Sequence, residues 1–206
     1  MTYQLLDSGH GRKLERLGPV VVDRQAPGAF WRPRLDRQDW DRSNGVHHRS
    51  NQGGGHWEWK QSAPAPWTIE HGTLKFQVKP TPFGHMGLFP EQVGQWHWLG
   101  ESIDAFCRSK GRAPALLNLF AYTGGSTLAA ARAGAEVTHV DAARGVVDWA
   151  RVNAELNDLG NAPVRWIVDD CSRYLERELR RKKRYDGVIL DPPTFGRGVR
   201  GETWKI

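Results

Sequence analysis

Cysteine is scarce: Cys107 and Cys171 are the two in 206 residues and lie far apart, which excludes a disulfide framework and a four-cysteine zinc site. Both read first as small buried side chains. No run of about 18 apolar residues occurs, so no membrane-spanning helix is expected. The start, Met1-Thr2-Tyr3-Gln4-Leu5-Leu6-Asp7-Ser8, has neither the basic residues nor the long apolar stretch of a secretory leader, and the expected location is the cytoplasm. A Gly-x-Gly-x-x-Gly turn is also missing, which weakens any reading that needs a bound diphosphate.

What the chain does have is aromatic and basic. Ten Trp, 39% apolar residues and 25% charged residues describe a folded globular protein, because disordered chains lack that aromatic load. Its length allows one domain, or one domain with a small appendage, and not two of full size. A formal charge of +6 suits a polyanionic partner, since a basic surface concentrates phosphate chains by its field and by counterion release. The same charge also serves plain solubility.

Residues 1–90 are rich in Trp, Gly, Pro, His and Arg and hold short β-type runs, which describes a small β-rich subdomain. Pro19-Val20-Val21-Val22-Asp23 is one strand candidate. Trp67-Thr68-Ile69-Glu70 is another, joined through His71-Gly72 to Thr73-Leu74-Lys75-Phe76-Gln77-Val78 as a hairpin. Residues 42–55 repeat with neither a helix nor a strand period and are expected to form a loop. Residues 91–206 differ. Pro90 suits a first helical turn, and Val93, Trp96, Leu99, Ile103, Phe106 and Cys107 recur at helical spacing until Lys110-Gly111. Strands then alternate with helices: a helix over 126–133, a strand ending at Asp141, a helix over 146–159, a strand over 164–168, a helix over 171–182 and a strand over 187–190. This alternation predicts an α/β fold, a Rossmann-like mostly parallel sheet with flanking helices.

The most informative stretch is Leu116-Leu117-Asn118-Leu119-Phe120-Ala121-Tyr122-Thr123-Gly124-Gly125-Ser126, followed by an Ala-rich helix and by Val137-Thr138-His139-Val140-Asp141. A strand, a glycine turn, a small-residue helix and a second strand closed by a carboxylate form a β-α-β unit of the kind built around a ribose-bearing cofactor. Gly124 and Gly125 let the backbone approach a ligand and turn to positive φ. Asp141 stands somewhat under about 20 residues beyond that turn, near the distance at which a carboxylate accepts from ribose hydroxyls. Taken alone, a Gly-Gly at this place is also a plain tight turn.

Four strand ends carry polar residues: the turn over 121–126, Asp141, Asp169-Asp170 and Asp191. In an open parallel sheet such ends converge on one crevice. Each acid could instead cap the helix that follows, Asp169 or Asp170 above all. Asp191-Pro192-Pro193-Thr194-Phe195-Gly196 stops its strand with rigid acceptors beside an aromatic ring, an arrangement suited to an amino-bearing planar base.

Together, Tyr122-Thr123-Gly124-Gly125, His139-Val140-Asp141, Asp169-Asp170 and Asp191-Pro192-Pro193-Thr194-Phe195 resemble the ordered motifs of class I S-adenosylmethionine-dependent methyltransferases. Within that class the chain is similar to the bacterial group containing large-subunit ribosomal RNA cytosine-C5 and guanine-N7 methyltransferases. Phe83-Gly84-His85-Met86-Gly87-Leu88-Phe89-Pro90-Glu91-Gln92 resembles the segment before the catalytic domain of that group, and the match runs over about residues 83–200. The resemblance implies S-adenosylmethionine as cofactor, with Gly124 and Gly125 at its methionine part, Asp141 at the ribose, Asp170 at the adenine amino group and the Cys171 backbone N–H beside the ring. It also implies that Phe120, Tyr122 and Thr123 border the pocket, that Gln92 covers the cofactor, and that Asp191, Pro192, Pro193 and Phe195 form the catalytic floor. The implied substrate is RNA of the ribosomal type, and neither a metal nor a membrane enters the chemistry.

Two departures from the family pattern bear on this reading. A cytosine-C5 transfer uses a cysteine nucleophile, and neither Cys107 nor Cys171 stands where it is needed. The family sheet also continues beyond the Asp-Pro-Pro strand, whereas this sequence stops shortly after it, so the chain reads as a fragment that by itself could be inactive. Arg180-Arg181-Lys182-Lys183-Arg184 could grip phosphates or simply close a helix in solvent. Two other readings stay open, an RNA-binding module with a vestigial cofactor crevice and a nicotinamide-dependent oxidoreductase. The oligomeric state, the target base and the methylated atom are not legible.

Overall fold

The computed structural model describes residues 2–50, 54–193, 195–197 and 203–205, the last two stretches by backbone alone. Two compact units divide the chain, Met1–Pro90 and Glu91–Ile206.

The first unit is built on β1 (Tyr3–Gly9), β2 (Arg12–Leu17), β3 (Val20–Gln25), a one-turn helix α1 (Arg37–Asp41), β4 (Gly45–Arg49) and β5 (Gly55–Trp59). These strands form one sheet in chain order, antiparallel except where β4 runs parallel to β3. β6 (Trp67–His71) and β7 (Leu74–Val78) make the hairpin that the sequence announces.

Residues 42–55 are not the loop expected from their composition. β4 lies within them, and Gly45 is there because a Cβ would stand 2.4 Å from the Trp59 ring. His47 is fully buried, its ring nitrogens bound to Gln25 Oε1 at 2.8 Å and to the Pro82 carbonyl at 3.1 Å. The strand exists because distant partners satisfy a polar side chain, a condition that no local period expresses.

A 3-10 turn over Pro90–Gln92 spans the boundary in sequence, and the second unit continues through α2 (Val93–Lys110), which Gly111 ends in the left-handed conformation at φ 66°. Then come β8 (Ala115–Leu119), α3 (Gly125–Arg132), β9 (Glu136–Asp141), α4 (Arg144–Leu156), β10 (Val164–Val168), α5 (Cys171–Arg180) and β11 (Gly187–Leu190). Backbone of β12 (Phe195–Arg197) and β13 (Thr203–Lys205) pairs as an antiparallel ribbon.

The sheet order is β10-β9-β8-β11, parallel throughout. Mixed α/β architecture with a parallel sheet and a β-rich first part is thus what the sequence predicts. Successive residues of β8 serve opposite faces, as a two-residue period requires. Leu116 packs with Ile103, Ala130, Ala131 and Val137, whereas Leu117 and Leu119 pack with Val140, Cys171 and Tyr174. Because β9 and β11 flank β8 on opposite sides, the chain reverses direction across the sheet there, the switch point outside whose carboxyl ends open parallel sheets bind their ligands.

Candidate functional site

The turn after β8 takes an uncommon path. Phe120 and Tyr122 have φ of 53° and 50°, and Gly124 has 91°. Left-handed backbone at a non-glycine residue costs roughly 1–2 kcal/mol, so the path persists because other elements hold it. Ala121 N–H donates to the Val140 carbonyl at 3.1 Å, Phe120 N–H to Cys171 Sγ at 3.3 Å and Tyr122 N–H to Asp141 Oδ2 at 3.0 Å. Asn153, buried on α4, donates its amide to the Thr123 carbonyl at 2.9 Å.

The glycines have a second reason besides φ. A Cβ on Gly125 would lie 2.5 Å from the Trp96 ring of α2, and one on Gly124 would lie 3.2 Å from the Ala150 Cβ of α4. Protein fills the direction in which a side chain would point, and what these residues offer a ligand is backbone. No side chain caps α3, so the N–H groups of its first turn are ready donors at the positive end of the helix. Thr123 is buried and contributes its held carbonyl.

Asp141 closes β9. Its Oδ2 accepts from Tyr122 and its Oδ1 from Ala143 N–H at 2.9 Å, and burial nonetheless pushes its carboxyl above the ordinary range. Ala142 N–H bears on the same carboxylate, and three backbone donors still leave a lone pair to spare of its roughly four. The end of β10 sits alongside, since Asp169 N–H donates to the Asp141 carbonyl at 3.1 Å. Asp170 caps α5 through Oδ1, which accepts from Arg173 N–H at 2.9 Å. The capping role weighed for this acid is real and occupies one of its oxygens. Asp169 pairs with Arg177.

At the end of β11, Gln92 Nε2 donates to Asp191 Oδ2 at 3.0 Å, joining two candidates that stand far apart in sequence. Pro192 is half-buried and Pro193 exposed, while the Phe195 side chain lies outside the described residues. The structure therefore joins Tyr122 to Asp141, Phe120 to Cys171 and Gln92 to Asp191, and sets Asp170 at the neighbouring strand end.

Cys171 is the first residue of α5, so its N–H is one of the unsatisfied donors of that helix. Its thiol is buried, with its pKa pushed up to about 12 by desolvation, and is no nucleophile. Cys107 is half-buried on α2.

Sequence reasoning missed Asn153, which a polar residue on the buried face of Arg144–Leu156 could have signalled. It also missed the polar chain behind the turn, in which Asn118 Nδ2 donates to Thr127 Oγ1 at 2.9 Å and Thr127 Oγ1 meets His139 Nδ1 at 2.9 Å. Among the described residues no group of three His, Cys, Asp or Glu is arranged to hold a metal, and no helix is long and apolar enough to cross a membrane.

The family model for S-adenosylmethionine-dependent methyltransferases matches residues 37–203. The chain is 35% identical over 136 residues to ribosomal RNA large subunit methyltransferase K/L of Syntrophotalea carbinolica, a match covering 66% of this chain and 18% of that protein. It is 35% identical over 133 residues to the protein of that name in Methylococcus capsulatus, covering 64% and 17%. Among solved structures, the S-adenosylmethionine-dependent methyltransferase from Agrobacterium tumefaciens superposes with a TM-score of 0.89 at 39% identity, over 100% of this chain and 64% of that one. The chain thus spans under a fifth of the length of these curated relatives and under two thirds of the solved one. With 167 of its 206 residues inside the family model, this chain belongs to the S-adenosylmethionine-dependent methyltransferase family.

Proposed function

We propose that the chain binds S-adenosylmethionine in the strand-end crevice of residues 91–206 and serves the methylation of a base in RNA, of the ribosomal type, in the cytoplasm. Residues 91–206 then act as the N-terminal part of the cofactor-binding domain, preceded by the β-rich subdomain of residues 1–90. The observation that carries this reading is Asp141, a desolvated carboxylate with acceptor capacity left over, beside backbone bent left-handed at two non-glycine positions.

Those groups fit a sulfonium nucleoside. Asp141 accepts from ribose hydroxyls, Asp170 receives the adenine amino group on the oxygen not used in capping, and the Cys171 N–H meets a ring nitrogen. Orphan N–H groups at the start of α3 suit the carboxylate of the methionine part. Phe120 and Tyr122 supply apolar walls. When bound, the cofactor supplies a methyl group on positively charged sulfur, ready for in-line displacement.

The protein's part is mostly positioning. Gln92 orients the Asp191 carboxylate, and Asp191 with the Pro192 and Pro193 carbonyls presents acceptors that fix an amino-bearing base. Rigid prolines keep those acceptors in place without reorganisation. RNA as substrate is supported by the names of the curated relatives.

Isothermal titration with S-adenosylhomocysteine tests the reading. Saturable heat that Asp141→Asn weakens is the expected result, and no heat with folded protein overturns it. RNA binding without cofactor heat would favour an RNA-binding module with a vestigial crevice, and binding of a reduced nicotinamide would favour an oxidoreductase.

A further inference from the structure

The first unit displays aromatic rings where a core would normally hide them. Phe30 and Trp31 are 87% and 51% exposed, with ring centroids 5.6 Å apart at 66°, and Leu35 nearby in sequence is exposed as well. Arg32, Arg34 and Arg37 alternate with them, all exposed, against one acid over residues 30–37, Asp36, while Asp39 just beyond pairs with Arg42. Asp36 is engaged locally, its carboxylate accepting from Asp39 N–H. Arg37 makes a loose surface pair with Asp41 at 3.8 Å, which holds it only weakly.

This segment is fastened rather than slack. The buried Asp7 carboxylate accepts from Arg34 N–H at 3.0 Å, Leu35 N–H at 2.9 Å and Trp40 Nε1 at 3.1 Å. Trp31 Nε1 donates to the Ser8 carbonyl at 2.9 Å, while the Trp31 and Ala29 carbonyls accept from His10 and Gly11 N–H at 2.8 Å and 2.7 Å. The chain packs so closely that a Cβ on Gly9 would stand 2.4 Å from the Pro33 nitrogen. Rings held out in this way lose little conformational freedom when something stacks on them.

We infer that Phe30 and Trp31, interleaved with Arg32, Arg34 and Arg37, form a stacking platform for single-stranded RNA. Every base has a π-face, so exposed rings bind unpaired nucleotides without regard to sequence, and interleaved guanidinium groups meet the phosphates. A duplex keeps its bases stacked on one another and cannot use such rings. The inference deepens the RNA reading above and rests on it for the identity of the partner.

Fluorescence anisotropy of a short labelled single-stranded RNA against the full chain, with its duplex as comparison, tests the platform. Phe30→Ala should weaken single-strand binding roughly five- to a hundredfold, the range of one lost base stack. Arg32→Gln and Arg34→Gln should each lower the slope of log affinity against log salt by about 1. All three substitutions are at exposed side chains, so the thermal midpoint and the heat of S-adenosylhomocysteine binding should stay unchanged. Unaltered RNA binding in Phe30→Ala overturns the platform, as does equal binding of the duplex. Self-association abolished by Phe30→Ala with RNA binding intact also overturns it and hands the rings to a protein partner. Phe30-dependent RNA binding without cofactor heat would retain the platform while removing the cofactor assignment, and the reverse pattern would remove the platform alone.

Discussion

His139 is a neutral imidazole built into the middle of a sheet. It is fully buried, its Nδ1 meets Thr127 Oγ1, and its Nε2 has no partner among the described residues. Burial pulls its pKa down to about 3 from the ordinary 6.5, and Arg151 pushes the same way. The folded value is depressed, so the stability this group confers is complete above the unfolded pKa and is lost as pH falls toward the folded one. Between pH 6.5 and about 5 the loss from this one group is roughly 2 kcal/mol. Urea unfolding at both pH values should reveal it, and His139→Gln should show a correspondingly flatter dependence. The same slope in both proteins would contradict the assignment.

Asp141 titrates in the opposite sense. Its folded pKa lies above the ordinary 3.8, chiefly through desolvation, so the stability it confers is present at low pH and is lost as pH rises through the folded value. Ligand hydroxyls would relieve that penalty by donating to the ionised form. Affinity for S-adenosylhomocysteine should therefore rise with pH in the acidic window just above 3.8, and Asp141→Asn should flatten the rise and bind roughly 10- to 100-fold more weakly. Calorimetry across that window decides it. The glycine turn and the Asp141 strand end were legible at this scale, because glycines and an acid closing an apolar run are local signals. Asn153 and the Gln92 to Asp191 bond were not, since each acts on a residue that only folding brings near.

At the scale of elements, the packing of α2 against α3 sets the geometry of the turn. Gly125→Ala drives a methyl into the Trp96 ring and should destabilise the protein by roughly 1–3 kcal/mol, the usual cost of overpacking. Trp96→Phe, with a smaller ring, should recover part of the loss when combined with it. Denaturant midpoints of the single and double variants measure both numbers, and a double variant no better than Gly125→Ala would contradict the contact. The alternation over residues 115–190 was readable because each strand is a short apolar run closed by turn residues. β2 and β4 were harder. β2 buries Glu15, which is satisfied by Arg24 from β3, by Lys13 and by the Tyr3 hydroxyl, and β4 buries His47. Both strands follow from cross-strand pairing of polar groups, which a hydrophobic period does not register.

Across the whole molecule, the basic balance of the sequence resolves into places of different character. In the run over 180–184, two of the five side chains are engaged at their own helix end, Arg181 with Glu178 at 3.0 Å and Lys183 over the Tyr185 ring. Arg32 and Arg34 stand beside exposed rings instead. Neutralising Arg181 and Lys183 should therefore weaken RNA binding less than Phe30→Ala does, and a larger loss in the anisotropy measurement would move the RNA contact to the helix end.

The central claim is that the turn after β8, Asp141 and the Asp170-Cys171 corner surround one nucleoside. Backbone amide shifts of the full chain, followed by nuclear magnetic resonance during titration with S-adenosylhomocysteine, test it most directly. The largest changes are expected at residues 120–126, 141–143 and 169–171. Saturable changes centred elsewhere, or none at millimolar ligand, would contradict it.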